Sequence, residues 1–360
     1  MRHRIADVRN RWLARPSVRS FLGTIWPFRL IARRQARRLF DISAGFVYSR
    51  VLMTCLELDW FAALRDGPVS LSALADDAEL PVAAAERLML AACALDLMES
   101  RGDGQFALGP LGAALIGDDG IAAMATHHRM FYADMADTLA LLRDRSDTQL
   151  ARYWAYATSD SPASLAPTDV SDYTELMAAS QPMIAEQVLA AYKFGDFSHL
   201  VDVGGGKGAF ASAVGARYPS LRLSVLDLPA VVSHIPGDSG IQAIGGSFLD
   251  TAIPGDADVV SLMRILHDHD DETVLGLLSN LRRSIGKNAT LVIAEPMAET
   301  RGAEVVGHAY FGFYLWAMGS GRARNQSEID AMLVQSGFAP SKRLKTPVPL
   351  ICSVLLTNPV

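Results

Sequence analysis

The sequence predicts an α/β protein in two parts: a helical N-terminal domain, and a C-terminal domain built on a mainly parallel sheet. The chain has 360 residues, which is long for one compact domain. Helical patterns dominate up to about residue 195, and strands alternate with helices from His199 onward. A glycine-rich loop follows the first of these strands and opens a helix, as in α/β domains that bind nucleotides.

Composition limits the classes of protein. Half of the residues are apolar and a fifth are charged, which is enough for a sizeable core. Cys55, Cys93 and Cys352 are far apart, so we expect reduced core thiols in a cytosolic protein. We find no signal peptide and no apolar run that we expect to cross a bilayer.

The first 40 residues form a basic leader. They carry eleven arginines and one acid, Asp7, although the whole chain has a net charge of −6. Such a segment fits a basic helix packed on the rest of the chain or on a second subunit, an anionic membrane surface, or a nucleic-acid arm. The leader also contains several aromatic residues, namely Trp12, Phe21, Trp26, Phe28 and Phe40.

Residues 41–120 have the outline of a winged-helix domain. Residues 36–64 are apolar nearly all round, which predicts a buried helix, often one in a subunit interface. A short helix after Ser70, a turn at Leu80–Pro81, a helix from about Val82 and two extended pieces around residues 101–104 follow. Residues 51–100 hold nine acids and two bases, a balance that argues against DNA binding.

Residues 121–180 read as linking helices that contribute to the substrate pocket, with a Ser/Pro/Asp-rich interruption at 157–173, and residues 181–360 as the sheet domain. Its strands are expected in HLVDV, LRLSVLD, IQAIG, ADVVSLM and ATLVIAE. The last segment, SKRLKTPVPLICSVLLTNPV, predicts an antiparallel hairpin joined by a proline-rich turn.

The glycine loop VDVGGGKGAF indicates a nucleoside ligand. An ATP loop is excluded because Gly208, rather than Ser or Thr, follows Lys207. Gly204, Gly206 and Ala209 satisfy GxGxxA, so NAD and other nucleoside ligands both stay open. Asp227 would accept the ribose hydroxyls in either case, and Asp202 would orient the loop or face a cation.

The stretch LHDHDDE, Leu266–Glu272, admits a metal site, a catalytic base or the acidic start of a helix. Asp270 is a good N-cap residue, and Asp271 and Glu272 favour a first helical turn through the helix dipole.

Six segments, in order, resemble the S-adenosylmethionine-dependent O-methyltransferases of small molecules: LVDVGGGKG, LDLPAVV, GGSFLD, LMRILHDHDDE, LVIAEPM and GRARNQSEIDAMLVQSGF. The resemblance implies a Rossmann-like class I methyltransferase domain, an N-terminal winged-helix-like dimerisation domain and a homodimer. It also implies S-adenosylmethionine as cofactor, S-adenosylhomocysteine as product, and no metal. A NAD dehydrogenase would need neither LHDHDDE nor GRARN.

A narrower resemblance involves LFDISAGFVYSRVLM, HHRMFYADMADTLALLRD and the basic leader. These look like the carotenoid hydroxyl O-methyltransferases of photosynthetic bacteria. That group methylates the C1 tertiary hydroxyl of acyclic carotenoids, in spheroidene and spirilloxanthin biosynthesis. The location implied is cytoplasmic, with the leader as a candidate contact to the inner face of the photosynthetic membrane. Rival readings are an aromatic polyketide hydroxyl, a bacteriochlorophyll-type tetrapyrrole, and a non-methylating hydroxylase on the same scaffold.

The resemblance also implies roles for residues. His267 is the general base, Glu295 orients it, and a second orienting acid is missing because its position is Ala323. Asp268 would support the cofactor side and His269 would stack on the adenine edge. The cofactor-binding residues implied or inferred are Asp202, Gly204, Gly206, Asp227, Leu228, Ser247, Phe248 and Arg264.

The substrate pocket should be apolar, although aromatic residues and methionines at helical spacing are also common in plain cores. His127 and His128 lie near the same segment and are expected to be structural. The candidate lining residues are Phe131, Tyr132, Tyr173, Met177, Met183, Phe311, Tyr314, Leu315 and Met318.

Overall fold

The computed structural model describes residues 7, 10–26, 28–117, 119–154 and 167–360, without the side chains of residues 19, 20, 22, 23, 119 and 167–173. The chain divides into two compact units, residues 1–116 and 117–360. Each is described by itself.

The first unit is helical with a small sheet. β1, β3 and β2 form an antiparallel sheet in that order, and the Ser70 hydroxyl caps α4 by accepting from the Ala73 N–H at 3.2 Å. This confirms the predicted outline of helix, helix and hairpin. The elements are α1 (Pro16–Thr24), α2 (Phe28–Glu57), α3 (Trp60–Ala63), β1 (Val69–Ser70), α4 (Leu71–Asp77), α5 (Val82–Ala94), β2 (Met98–Gly102), β3 (Gln105–Leu108) and α6 (Pro110–Ile116).

Helix α2 is mostly exposed in the single chain, and the expectation that residues 36–64 are buried, often in a subunit interface, stays a prediction for this helix. Of the described residues in α2, only Met53 and Cys55 are buried. The sequence analysis expected no apolar run that crosses a bilayer, but α2 is long and apolar enough to do so by length and composition. Its four clustered arginines precede the apolar stretch and so do not interrupt it. Core helices and signal sequences pass the same test, so this alone assigns no span. Its exposed apolar residues are Phe28, Leu30, Ile31, Leu39, Phe40, Ile42, Phe46 and Val47.

The second unit begins with helices. Of the predicted interruption at 157–173, residues 157–166 lie outside the described residues, whereas 167–173 already belong to α10. Proline is tolerated in a first helical turn because its missing N–H would lack a partner there, which lets Pro167 start the helix. The helices are α7 (Asp119–Asp134), a 3₁₀ turn (Met135–Asp137), α8 (Thr138–Arg143), α9 (Gln149–Tyr153) and α10 (Pro167–Ala191).

A seven-stranded sheet follows, in the order β6-β5-β4-β7-β8-β10-β9. β4 to β8 are parallel, and β10 runs antiparallel to both β8 and β9, which confirms the predicted fold class. The elements are β4 (His199–Val203), α11 (Ala209–Arg217), β5 (Arg222–Asp227), α12 (Pro229–Val232), β6 (Ile241–Gly245), β7 (Val259–Met263), α13 (Asp271–Ser284), β8 (Thr290–Glu295), a π-helical turn (Val306–Phe311), α14 (Gly312–Met318), α15 (Gln326–Gln335), β9 (Lys342–Leu344) and β10 (Ser353–Thr357).

Alternating side chains of the central strands fill two apolar cores. On β4, Val201 and Val203 pack with Leu277 of α13, whereas Leu200 packs with Val188 of α10. Successive residues of a strand point to opposite faces, and helices cover both faces here, so these strands are buried throughout. The cores leave the carboxyl ends of β4, β5, β7 and β8 free to carry polar side chains.

Candidate active site

A cavity of about 400 Å³ lies at the carboxyl ends of β4, β5 and β7. Open α/β sheets bind ligands at this edge. Seven of the eight predicted cofactor residues line the cavity, namely Gly204, Gly206, Asp227, Leu228, Ser247, Phe248 and Arg264.

The glycine loop and Asp227 form one wall of this cavity. Gly204 has φ +70°, and a Cβ there would collide with the side chain of Ile265. The Asp227 carboxylate accepts from the Gly206 N–H at 2.8 Å and from the Leu228 N–H at 2.7 Å. Burial raises the pKa of Asp227 to about 6, although these hydrogen bonds favour the charged form. Asp227 is therefore an oriented acceptor.

Asp202 lies outside the cavity lining. It is fully buried, and its Oδ1 accepts from the Ser261 hydroxyl at 2.6 Å. Burial raises the pKa of Asp202 to about 7, and the nearby charge of Asp227 contributes. This placement supports a role in shaping the loop and gives no support to direct cofactor contact.

Helix α10 supplies the facing wall, although the sequence analysis offered its residues only for the substrate pocket. Thr174, Met177, Ala178 and Gln181 line the cavity from this helix. Lys207 of the glycine loop pairs with Glu175 of α10 at 2.7 Å. No motif marks this helix, so only the tertiary structure shows that it reaches the cavity.

Arg264 joins this wall to the end of β7. Its guanidinium donates to the Ser180 hydroxyl at 2.9 Å and to the Gln181 side-chain oxygen at 2.8 Å. Its backbone has φ +60°, which is uncommon for a residue with a side chain. Arg264 therefore lines the cavity and also braces α10 against the sheet; its contact with the cofactor stays a prediction.

His267 and Glu295 are in direct contact. His267 lies in a 3₁₀ turn, Leu266–Asp268, and its Nδ1 is hydrogen-bonded to Glu295 Oε2 at the end of β8. The other Glu295 oxygen accepts from the N–H groups of Ile265 and Leu266, at 3.0 and 2.7 Å. This network fixes the imidazole and leaves Nε2 as the nitrogen that can accept a proton.

Asp268 places a second carboxylate beside His267. The resemblance had implied a second acid at position 323, which is alanine here. Its Oδ1 lies 3.0 Å from His267 Nε2, and both residues are buried. Burial lowers the pKa of His267, but the charges of Asp268 and Glu295 outweigh it and raise the pKa above its usual value. Asp268 also lines the cavity, on the cofactor side as predicted.

The GRARN segment holds the histidine turn in place. Arg324 is buried, and its guanidinium donates to the carbonyl oxygens of Leu266 and His269, the latter at 2.8 Å. It also pairs with Asp271 at 2.6 Å, and Arg322 binds the same carboxylate at 3.1 Å. The sequence does show an acidic turn and, later, a basic segment that could pair with it. Because some 50 residues separate the two, the sequence alone does not predict their contact.

Asp270 departs from its expected role. It stands at the N-cap position of α13, but its side chain makes no capping bond and accepts instead from the Gly321 N–H at 3.0 Å. Gly321 has φ +81°, and a Cβ there would overlap the carbonyl oxygen of His267. The acidic stretch therefore binds the GRARN segment in addition to starting a helix.

The predicted substrate residues fall largely into one aromatic cluster. The side chain of Tyr173 lies outside the described residues, and Tyr132 and Met183 are partly buried but are not members of the cluster. The Phe311 ring meets His267 edge-on, with centroids 5.4 Å apart. The predicted residues within the cluster are Phe131, Met177, Phe311, Tyr314, Leu315 and Met318.

Two histidine–tyrosine pairs satisfy the polar groups of this cluster. His127 Nε2 lies 2.7 Å from the Tyr314 hydroxyl, and His128 Nε2 lies 2.6 Å from the Tyr310 hydroxyl. Burial lowers the pKa of His128, and lowers that of His127 to about 4, so both are neutral at pH 7. Tyr310 and Phe311 belong to the π-helical turn, a feature common at functional sites.

Among the described residues, no group of three or more His, Cys, Asp or Glu is placed to hold a metal ion.

The sheet order and the His–Glu pair beside a nucleoside-type cavity define a methyltransferase of the α/β class. The chain belongs to the O-methyltransferase family: residues 134–339 match the O-methyltransferase domain and residues 40–118 the O-methyltransferase dimerisation domain. The latter match supports a homodimer. The enzyme is an S-adenosylmethionine-dependent O-methyltransferase.

Relatives of known name are similar over most of the chain. Demethylspheroidene O-methyltransferase of Cereibacter sphaeroides is 38% identical, over 88% of this chain and 85% of the relative. The enzyme of the same name from Rhodobacter capsulatus is 37% identical, over 90% and 82%. Human N-acetylserotonin methyltransferase, solved in complex with S-adenosylmethionine, shares the fold with a TM-score of 0.76 and 22% identity, over 90% of this chain and 97% of that one.

The cavity fits S-adenosylmethionine, the cofactor of this family. Asp227 offers oriented carboxylate oxygens to ribose hydroxyls, and the glycine loop leaves its backbone accessible. Phe248 and His269 line the same cavity, with ring centroids 5.1 Å apart, and offer flat surfaces to an adenine. These residues would hold the nucleoside.

Proposed function

We propose that this enzyme methylates a hydroxyl of an acyclic carotenoid, the C1 tertiary hydroxyl in spheroidene and spirilloxanthin biosynthesis, with His267 as general base. The observation that carries the proposal is the placement of the His267–Glu295 pair between the cofactor cavity and the aromatic cluster. The names of the two bacterial relatives support the substrate class.

The base is suited to a weakly acidic alcohol. An aliphatic hydroxyl gives up its proton only as the new C–O bond forms, so a positioned base must take it in the transition state. Glu295 accepts the Nδ1 proton of His267, so Nε2, which lies 3.0 Å from Asp268 Oδ1, is the nitrogen that accepts the hydroxyl proton. Bound S-adenosylmethionine supplies the methyl group and leaves as S-adenosylhomocysteine.

The aromatic cluster suits a hydrocarbon. Phe131, Phe311 and Tyr314 pack edge to face, and the Tyr310 and Tyr314 hydroxyls are paired with histidines. A wall whose polar groups are paired with one another does not require hydrogen bonds from its ligand. Most of the binding free energy would then come from apolar contact, as for a polyene chain.

We also propose that the segment before residue 40 lies on the anionic inner face of the membrane that holds the carotenoid. Trp12, Phe21 and Trp26 are more than half exposed, at 59%, 65% and 73%. Exposed arginines accompany them, and the match to the dimerisation domain, residues 40–118, begins after this segment. Arginine with exposed aromatic residues is typical of helices that bind membrane surfaces.

The test is transfer of a labelled methyl group from S-adenosylmethionine to 1-hydroxylated acyclic carotenoids in detergent. We compare the wild type, His267→Ala and the control His308→Ala, which changes an exposed histidine. Transfer that collapses in His267→Ala alone supports both the substrate and the base. Transfer intact in His267→Ala removes the base assignment.

Cofactor binding without methylation of any carotenoid would sink the substrate assignment. Aromatic polyketide hydroxyls and tetrapyrroles would then be assayed. A non-methylating hydroxylase would be indicated if these also fail.

A further inference from the structure

We propose that Asp268 couples the positive charge of bound S-adenosylmethionine to His267, so that His267 releases its proton to solvent when this cofactor binds and is protonated when S-adenosylhomocysteine is bound. The inference rests on the proposed role of His267 as base. It assigns to Asp268 a role that is separate from that of Glu295.

Asp268 contacts both the cavity and the base. Two carboxylates line the cavity, those of Asp227 and Asp268. Asp227 is held by the N–H groups of Gly206 and Leu228, whereas Asp268 lies 3.0 Å from His267 Nε2. Charge that enters the cavity therefore acts on His267 through Asp268 more directly than through Asp227.

The charges around His267 favour its protonated form in the free enzyme. Asp268 faces Nε2 from the same turn, and Glu295 faces Nδ1 from β8. Arg264, at the end of β7, opposes them electrostatically, but the two carboxylates prevail.

The remaining neighbours add little opposition. Arg324 directs its guanidinium to the Leu266 and His269 carbonyl oxygens and to Asp271, not to the imidazole. Burial keeps the pKa of His269 low, at about 4, so His269 is neutral at pH 7. The Phe311 ring, which meets His267 edge-on, carries no charge.

A cationic ligand in this cavity changes that balance. A positive charge near Asp268 competes with His267 for the same carboxylate, and buried charges interact strongly because water screens them poorly. His267 then loses stabilisation of its protonated form and becomes the neutral base that the reaction requires. After transfer the product sulfur is neutral, and Asp268 again stabilises the proton that His267 has taken.

The experiment is an NMR titration of histidines labelled with ¹³C at Cε1. The His267 resonance is identified from its loss in His267→Gln. We expect the pKa of His267 to be lower with S-adenosylmethionine than with S-adenosylhomocysteine, by roughly one unit, as for an opposite charge close by. In Asp268→Asn we expect a lowered pKa without ligand and no difference between the two ligands.

Asp270→Asn is the matched control, because Asp270 binds the Gly321 N–H rather than His267. It should keep the difference between ligands, and Asp268→Glu should restore part of it. Equal His267 titration with both ligands in the wild type overturns the proposal, as does a difference that persists in Asp268→Asn. If Asp268→Asn does not fold, the wild-type comparison decides.

Calorimetry on the same samples establishes that both ligands are bound. An unchanged His267 pKa with both bound overturns this inference even if carotenoid is methylated. A pKa difference without carotenoid methylation overturns only the substrate assignment.

Discussion

The guanidinium of Arg324 donates to the carbonyl oxygen of His269 at 2.8 Å, across 55 positions of sequence. It also donates to the Leu266 carbonyl and pairs with Asp271, so one buried side chain spans both ends of the turn that carries His267. Position 323, where the resemblance implied an acid, is alanine, and its arginine neighbour shapes the active site instead.

Arg324→Ala should destabilise the enzyme and disorder the histidine turn. Two carbonyl groups would lose their donor, at about 1–3 kcal/mol for each that stays buried, so we expect a loss of roughly 2–6 kcal/mol. The free energy of unfolding in urea measures it. Arg322→Ala is the matched control, because Arg322 binds the same Asp271 from an exposed position and should cost at most about 1 kcal/mol. Equal losses in the two variants would refute this account.

Gly321→Ala should cost more than loss of backbone freedom alone. Gly321 and Gly302 have similar φ, +81° and +82°, but a Cβ at Gly302 meets nothing within 4 Å. Gly302→Ala should therefore lose only the strain of a left-handed alanine, about 1–2 kcal/mol. Gly321→Ala adds a collision with the His267 carbonyl, so kcat should also fall. Thermal unfolding and kcat for both variants decide, and matching values would contradict the prediction.

Methyl transfer should rise with pH through the titration of His267. The neutral imidazole is the active form, and its pKa is raised above 6.5, so activity is lost as pH falls through an inflection above that value. A profile of kcat/KM for S-adenosylmethionine reports the enzyme free of this cofactor. Glu295→Gln removes one of the two carboxylates, which should move the inflection down by roughly one unit or more and slow the reaction. If Glu295→Gln leaves the inflection at the same pH, the group that titrates in the profile is not His267.

Binding to vesicles should depend on the arginines at the start of α2. Replacing the exposed Arg33, Arg34, Arg37 and Arg38 by Gln should weaken binding to anionic vesicles by roughly 100-fold or more, since each contributes about 1 kcal/mol near such a surface. Added salt should also weaken binding to anionic vesicles, because it screens the charges. The control, Arg65→Gln with Arg87→Gln, changes exposed arginines elsewhere and should bind normally. Co-sedimentation measures both, and equal binding by all three proteins would contradict the proposal.

Local patterns predicted the elements well. A short helix begins after Ser70, as expected, and the apolar runs from His199 and Thr290 became buried strands of the parallel sheet. Such features depend on side-chain period and turn chemistry within a few residues. At α2, apolar residues on all sides predict burial that the single chain does not provide and that a subunit interface would supply.

Residues of the candidate site were predictable only where a single short segment of the sequence marks them. The sequence by itself determined the succession of strands and helices along the chain, the glycine loop and the position of Asp227, because each depends on neighbours along the chain. His267 became the candidate base only through the resemblance to the family. Only the tertiary structure decided that Asp268 faces His267, that Arg324 spans its turn, and that α10 walls the cavity. Those contacts join residues whose spacing has no fixed period, so folding alone brings their charges and hydrogen-bonding groups together.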